Sequence, residues 1–164
     1  MRQLILIRHA KSSWSNPSLD DFDRPLNKRG KRDAPFMAKL LSEKKIYPDI
    51  IISSPAKRTK LTALEFANQL GIGSDEIQWN NKLYLASLTT LFKILKQVDN
   101  NIKTVFLFGH NPGLTELQNF LCKEEIDNIP TCGIVSIKTD KKWCEISSKD
   151  FNLDFFEFPK KYFK

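Results

Sequence analysis

Histidine is scarce in this chain, with two among 164 residues, and cysteine nearly so, with three. Cys122, Cys132 and Cys144 are odd in number, lie far apart and form no Cys-x-x-Cys pair, which argues against a disulfide framework. A reduced, cytoplasmic setting follows, with all three thiols expected as small buried hydrophobes. Long apolar runs are also missing. Leu4 to Ile7 is cut off by Arg8 far short of a signal-peptide core, and no run approaches a membrane span, so no membrane partner is expected. Internal repeats, linkers and low-complexity segments are absent too, and the length suits a single domain over 1–164 with a real core. With 41% hydrophobic and 27% charged residues, disordered and collagen-like classes drop out. What is in excess is positive charge. A net charge of +7 favours anionic partners: phosphorylated ligands, acidic proteins or nucleic acid. The basic residues are scattered, with a short cluster only at Lys160, Lys161 and Lys164, which argues against a nucleic-acid patch.

Three stretches share one pattern. Leu4 to Ile7 reads as a buried strand and ends at Arg8-His9. Asp49 to Ser53 is a β-branched run leading into Ser54-Pro55-Ala56-Lys57-Arg58-Thr59, where Ser54 is suited to cap a helix and Pro55 to begin it. Lys103 to Phe108 runs into Gly109-His110-Asn111-Pro112-Gly113, with Asn111 as cap and Pro112 as first helical residue. Helical stripes recur at Ala34, Met37, Ala38 and Leu41 after Asn27, at Ala63, Phe66, Ala67 and Leu70, at Leu88, Leu91, Phe92 and Leu95 after Ser87, and at Leu114, Leu117 and Leu121. Pro35 implies either a kink in the first helix or a regular part that begins at Asp33. Gly71-Ile72-Gly73 ends the second helix, and Glu76 to Trp79 is a candidate short strand. Ser13 to Arg24 reads as a long loop. Ile134 to Lys138 and Trp143 to Ser147, around Asp140-Lys141-Lys142, predict a closing hairpin. Strands alternating with helices imply a largely parallel sheet covered on both faces, and right-handed crossovers put all three junctions on one rim.

Arg8, His9, Arg58 and His110 can therefore converge beside two helix N-termini. Guanidinium forks and free N–H groups at helix starts suit a tetrahedral dianion. Sulfate or carboxylate would be attracted as well, but a central neutral imidazole adds a nucleophile for phosphorus and so points to phosphoryl transfer. Both histidines of the chain fall directly after strong strands, which favours function over chance.

The Arg8-His9-Ala10 triplet, Ser53 to Thr59, and Gly109-His110-Asn111 together resemble the histidine phosphatase superfamily, whose signature is an N-terminal Arg-His-Gly triplet. The short length and Arg24-Pro25-Leu26 look most like its SixA-type phosphohistidine phosphatase branch. The resemblance implies a phosphoglycerate mutase-like α/β/α sandwich of three layers with a mostly parallel central sheet, working without metal or cofactor. It assigns His9 as the phospho-accepting nucleophile and Arg8, Arg58 and His110 to the phosphate pocket, with Ser12 and Asn111 as further substrate-binding candidates.

Two departures stand out. Ala10 replaces the glycine of the triplet, and Asn80 to Ser87 lacks the acidic residue that protonates the leaving oxygen in larger members. Asp20, Asp21 and Asp23 are substitutes from the first loop, with solvent as the other proton source. A phosphoramidate nitrogen needs that acid less than an alkoxide does, so a phosphohistidine-bearing protein is the expected substrate. A small phosphomonoester is the alternative, followed by a non-catalytic phosphate-binding module.

Overall fold

Leu4, Ile5, Leu6 and Ile7 are all fully buried, as a strand with no solvent-facing side requires. They lie in β1 (Arg2–Arg8) of the computed structural model, which describes residues 1–163. The other strands are β2 (Ile50–Ser53), β3 (Ile77–Trp79), β4 (Thr104–Gly109), β5 (Ile134–Thr139) and β6 (Asn152–Glu157). They form one sheet in the order β3-β2-β4-β1-β5-β6. The first four in that order are mutually parallel, while β5 and β6 are antiparallel additions beside β1.

Four helices cover it: α1 (Lys28–Glu43), α2 (Lys57–Gln69), α3 (Leu88–Lys96) and α4 (Gly113–Leu121). The period of two along each strand sorts the side chains between faces. Ile5, Ile7, Phe106 and Phe108 pack with Met37 and Leu41 of α1 and Phe66 of α2. Leu4, Leu6, Val105 and Leu107 pack with Leu91 and Leu95 of α3 and Leu114 and Leu117 of α4. The result is three layers, helix on sheet on helix. Among the described residues no helix is long and apolar enough to cross a membrane.

Register decides where the site lies. Arg8 stands opposite Gly109, and Ser53 opposite Phe108, so β1, β2 and β4 end level with one another. The chain leaves all three strands on the same rim.

Several expectations need correcting. The strand beside β5 is β6, not 143–147. Trp143–Glu145 is a 3-10 turn. Trp143 and Ile146, the residue just after the turn, are buried, spaced by three, and both drop into the α3–α4 side of the core, with the Trp143 indole donating to the Ile102 carbonyl at 2.7 Å. The second helix starts at Lys57, with Ala56 at its cap, because the Ser54 hydroxyl faces the site instead. The fourth starts at Gly113, and Asn111 caps it from outside by accepting the Thr115 N–H at 3.2 Å. Pro35 does not delay α1, which begins directly after Asn27 and runs through the proline. Cys122 and Cys132 are buried, but Cys144 is exposed in the 3-10 turn, where its side chain faces away from the core.

Asn27 caps α1 by accepting the Gly30 N–H at 2.9 Å, and its own N–H donates to the Lys11 carbonyl at 2.9 Å. The first turn of α1 is thereby pressed against the chain just past His9. A Cβ on Gly30 would sit 2.2 Å from the Lys11 carbonyl oxygen. Alanine would gain about 1 kcal/mol of helix propensity, but a backbone clash cannot be relieved by side-chain rotation and typically costs ~1–3 kcal/mol. We therefore expect Gly30→Ala to be destabilising overall, read as a lower urea midpoint at unchanged slope.

Candidate active site

His9 follows the last residue of β1, His110 follows β4, and Arg58 is the second residue of α2. The two imidazoles approach to 5.3 Å between ring centroids. They open onto a cavity of about 270 Å³ that also includes Arg8, Ser12, Arg24 and Asn111 in its wall. All six residues expected at the site therefore meet in one place.

The tautomer of His9 follows from its neighbour. Its Nδ1 lies 2.8 Å from the Ala10 carbonyl oxygen, which can only accept, so Nδ1 carries the proton and Nε2 keeps a lone pair. Ala10 is fully buried and its N–H donates to Thr62 Oγ1 at 2.9 Å, so the chain closes here around a small methyl group. His110 is held on its other edge. Its Nε2 is 2.8 Å from Ser54 Oγ and 3.2 Å from Thr59 Oγ1, and Arg58 Nη2, a pure donor, faces Nδ1 at 3.5 Å. Burial drives both imidazoles to about 3, aided by the surrounding arginines, so both are neutral near pH 7.

Each guanidinium is anchored on one side. Arg8 donates from Nη1 to the Ile129 carbonyl at 3.0 Å, while its buried Nε has no partner. Its pKa is lowered by burial and by the Arg58 charge. Arg58 donates to the Asp21 carbonyl at 2.7 Å and to Asp21 Oδ2 at 3.0 Å. Arg24 donates to the Ser13 carbonyl, to Asp21 Oδ1 and to Ser12 Oγ, and its guanidinium lies 3.2 Å from the centroid of the Trp14 ring. Three arginines against one carboxylate leave a pocket of positive surplus, matched to a dianion.

Of the three loop aspartates, Asp21 alone enters the site; Asp20 and Asp23 are exposed and make no side-chain contact with it. Burial would raise the Asp21 carboxyl, but hydrogen bonds from Tyr84, Arg58 and Arg24 overcome this and hold it at about 2. It is a carboxylate clamp on two arginines, with no proton to give at neutral pH. Tyr84 comes from the very stretch that lacks an acid, and its ring also stands edge-on to His110 at 5.5 Å.

Sequence reasoning missed Arg24, Tyr84, Ser54, Thr59 and Thr131 as site residues. Arg24 had a signal, since it sits with a proline at the end of the long loop beside His9. Ser12 reaches the pocket as expected, but through Arg24. Asn111 lines it while its amide donates to Asn128 Oδ1 and the Ile129 carbonyl, each at 2.9 Å, fixing the loop that anchors Arg8.

Residues 4–83 match the family model described as histidine phosphatase superfamily (branch 1). An uncharacterized chloroplastic protein of Arabidopsis thaliana is 34% identical over 143 residues, 80% of this chain and 63% of that one. Phosphoserine phosphatase 1 of Hydrogenobacter thermophilus is 46% identical over 69 residues, 41% of this chain and 32% of that one. The chain thus spans less than two thirds of either relative's length. The crystal structure of SixA from Agrobacterium tumefaciens superposes with a TM-score of 0.81 at 26% identity, covering 96% of this chain and 99% of that one.

The lowered imidazoles make stability depend on pH. The unfolded chain protonates both histidines below about 6.5, the folded chain only near 3, so the unfolded state binds more protons between these values. Stability is complete above about 6.5 and is lost as pH falls toward 3. At pH 5 we expect a loss of about 2 kcal/mol per imidazole relative to pH 7. Urea unfolding at the two pH values tests this: His9→Ala should shrink the difference, and an unchanged difference would contradict the neutral assignment.

Proposed function

Because the chain belongs to the histidine phosphatase superfamily, we propose that it is a phosphatase working through a phosphohistidine intermediate on His9, with a phosphohistidine side chain of another protein as its substrate. The observation that carries this reading is the His9 imidazole, neutral and fixed by Nδ1–H to the Ala10 carbonyl, with its Nε2 lone pair among three arginines.

In the first step Nε2 attacks phosphorus and the bond from phosphorus to the substrate nitrogen breaks. The departing imidazole keeps that electron pair and takes its proton from solvent. Arg8, with an unpartnered buried Nε, and Arg58, with one edge turned to the pocket, hold the equatorial oxygens where charge accumulates. A bound dianion also favours protonation of His110, which then donates to a phosphoryl oxygen. In the second step water attacks phosphorus, the P–Nε2 bond breaks, and phosphate leaves with the His9 lone pair restored.

Two features support a protein-borne phosphoramidate. Asp21 is ionised and committed to arginines, so a leaving group that depends little on an enzymic acid suits this pocket. The mouth also carries exposed apolar side chains: Trp14 is 73% exposed and Leu85 56%, with Leu19 and Phe22 on the same loop as Trp14, a surface matched to another protein. A second reading, a small phosphomonoester, is favoured by the 69-residue match to a phosphoserine phosphatase.

Incubation with a labelled phosphodonor should give an acid-labile adduct that is absent from His9→Ala. Labelling that persists in the variant would remove His9 from the mechanism. Arg8→Ala should lower kcat/KM by about two orders of magnitude, or ~3 kcal/mol of transition-state stabilisation. Turnover of a phosphohistidine protein should exceed that of phosphoserine and sugar phosphates, and the reverse ranking would select the second reading.

A further inference from the structure

A second and larger cavity, about 460 Å³, adjoins the phosphate pocket, and Thr131 lines both. It lies between the first turns of α1 and residues 158–163. Its cations are arranged differently from those of the pocket. Arg29 donates from Nη2 to Thr131 Oγ1 at 3.1 Å, which ties it to the boundary between the two cavities. Arg32 lies 3.9 Å from the centroid of the Phe163 ring, donates from Nε to Asp33 Oδ1 at 2.9 Å, and is ion-paired to the same oxygen through Nη2 at 2.8 Å. Lys160 stands on the opposite wall with Phe158.

Asp33 counts against an anion site and has to be weighed. It is buried, its Oδ1 is paired with Arg32, and its Oδ2 has no hydrogen-bond partner, with Arg29 Nε 3.8 Å away. One buried carboxylate against three cations leaves a surplus of two positive charges. That surplus sits in a trough wider than a phosphate needs and is walled by aromatic rings. An extended polypeptide with carboxylate side chains fits such a trough, since the rings cover its backbone and stems while the cations meet its charges.

We propose that this groove binds an acidic segment flanking the phosphorylated residue of the substrate protein. The proposal rests on the protein-borne substrate argued above and adds its local chemistry: glutamates or aspartates next to the phosphohistidine in the folded partner or along its chain. Thr131 places the two subsites side by side, so one partner engages both.

The test uses the full chain with its catalytic pocket saturated by inorganic phosphate, and labelled hexaglutamate and hexaglutamine as probes in fluorescence anisotropy at low ionic strength. Hexaglutamate should bind and hexaglutamine should not. The double variant Arg29→Gln with Lys160→Gln should weaken binding by about tenfold or more, while turnover of a small aryl phosphate stays within about twofold. Arg32 is left intact because buried Asp33 depends on it, and an unchanged melting temperature shows that the variant folds. Displacement of hexaglutamate by phosphate would assign it to the catalytic pocket and overturn the proposal. So would tighter binding of oligothymidylate than of hexaglutamate, lost on the same substitutions. A second arm compares phosphohistidine peptides with Glu or Gln flanks, and a preference for Glu that the double variant loses supports the groove. If neither peptide is hydrolysed while hexaglutamate binding remains, the substrate reading fails and the acidic-segment site stands.

Discussion

Three guanidinium groups share one pocket, and the rest of the site is arranged to offset their repulsion. At an effective dielectric of about 20, two unit charges 4 Å apart repel by about 4 kcal/mol, so the cluster persists only because each member has an anchoring acceptor. Arg8 has the Ile129 carbonyl, Arg24 the Ser13 carbonyl, and Arg58 the Asp21 carbonyl. Asp21 adds the one carboxylate, bridging Arg24 and Arg58. The same field, together with burial, keeps both imidazoles neutral. A pocket charged in advance is complementary to a dianion and spares the reorganisation that water would need at the moment of transfer.

The scaffold supplies this crowding through register. Level strand ends put His9 and His110 side by side, and the start of α2 delivers Arg58 to the same rim. The return of the chain before β5 completes the enclosure: the Cys132 N–H is shared between the Arg8 and His9 carbonyls at 3.1 and 3.0 Å, and Ile129 holds Arg8. Asn111 pins that returning segment to the start of α4. Positioning of the reactive groups is therefore distributed over backbone contacts far apart in sequence.

Acid–base chemistry and surface shape both support the proposed protein-borne substrate. An ionised Asp21 and a Tyr84 phenol that donates to it make a poor proton source, which suits a phosphoramidate better than an alkoxide ester. Around the pocket, the apolar residues of the 13–24 loop and the basic groove beside Thr131 form a face that a small molecule would leave largely unused.

The fold's centre was legible in the sequence because burial is recorded locally. Continuous apolar runs at Leu4 to Ile7 and Val105 to Phe108 mark central parallel strands, and each is followed within two residues by the histidine or arginine that it presents. The failures have a common origin. Trp143 and Ile146 looked like part of a strand until their spacing of three was resolved by packing, and the true edge strand, Asn152–Glu157, has an irregular register with β5. Ser54 and Asn111 read as simple helix caps, yet neither is the cap residue of its helix: Ser54 meets His110, and Asn111 holds both the first turn of α4 and the Ile129 loop. By itself the sequence determined the sheet's core, the rim and four groups that meet there, since strand period and terminal polarity are properties of short segments. Only the tertiary structure decided that Arg24 joins them, that Asp21 is a clamp and not an acid, and that His9 offers Nε2. Those outcomes depend on hydrogen bonds between segments distant along the chain and on the shared burial of charges, which no local pattern encodes.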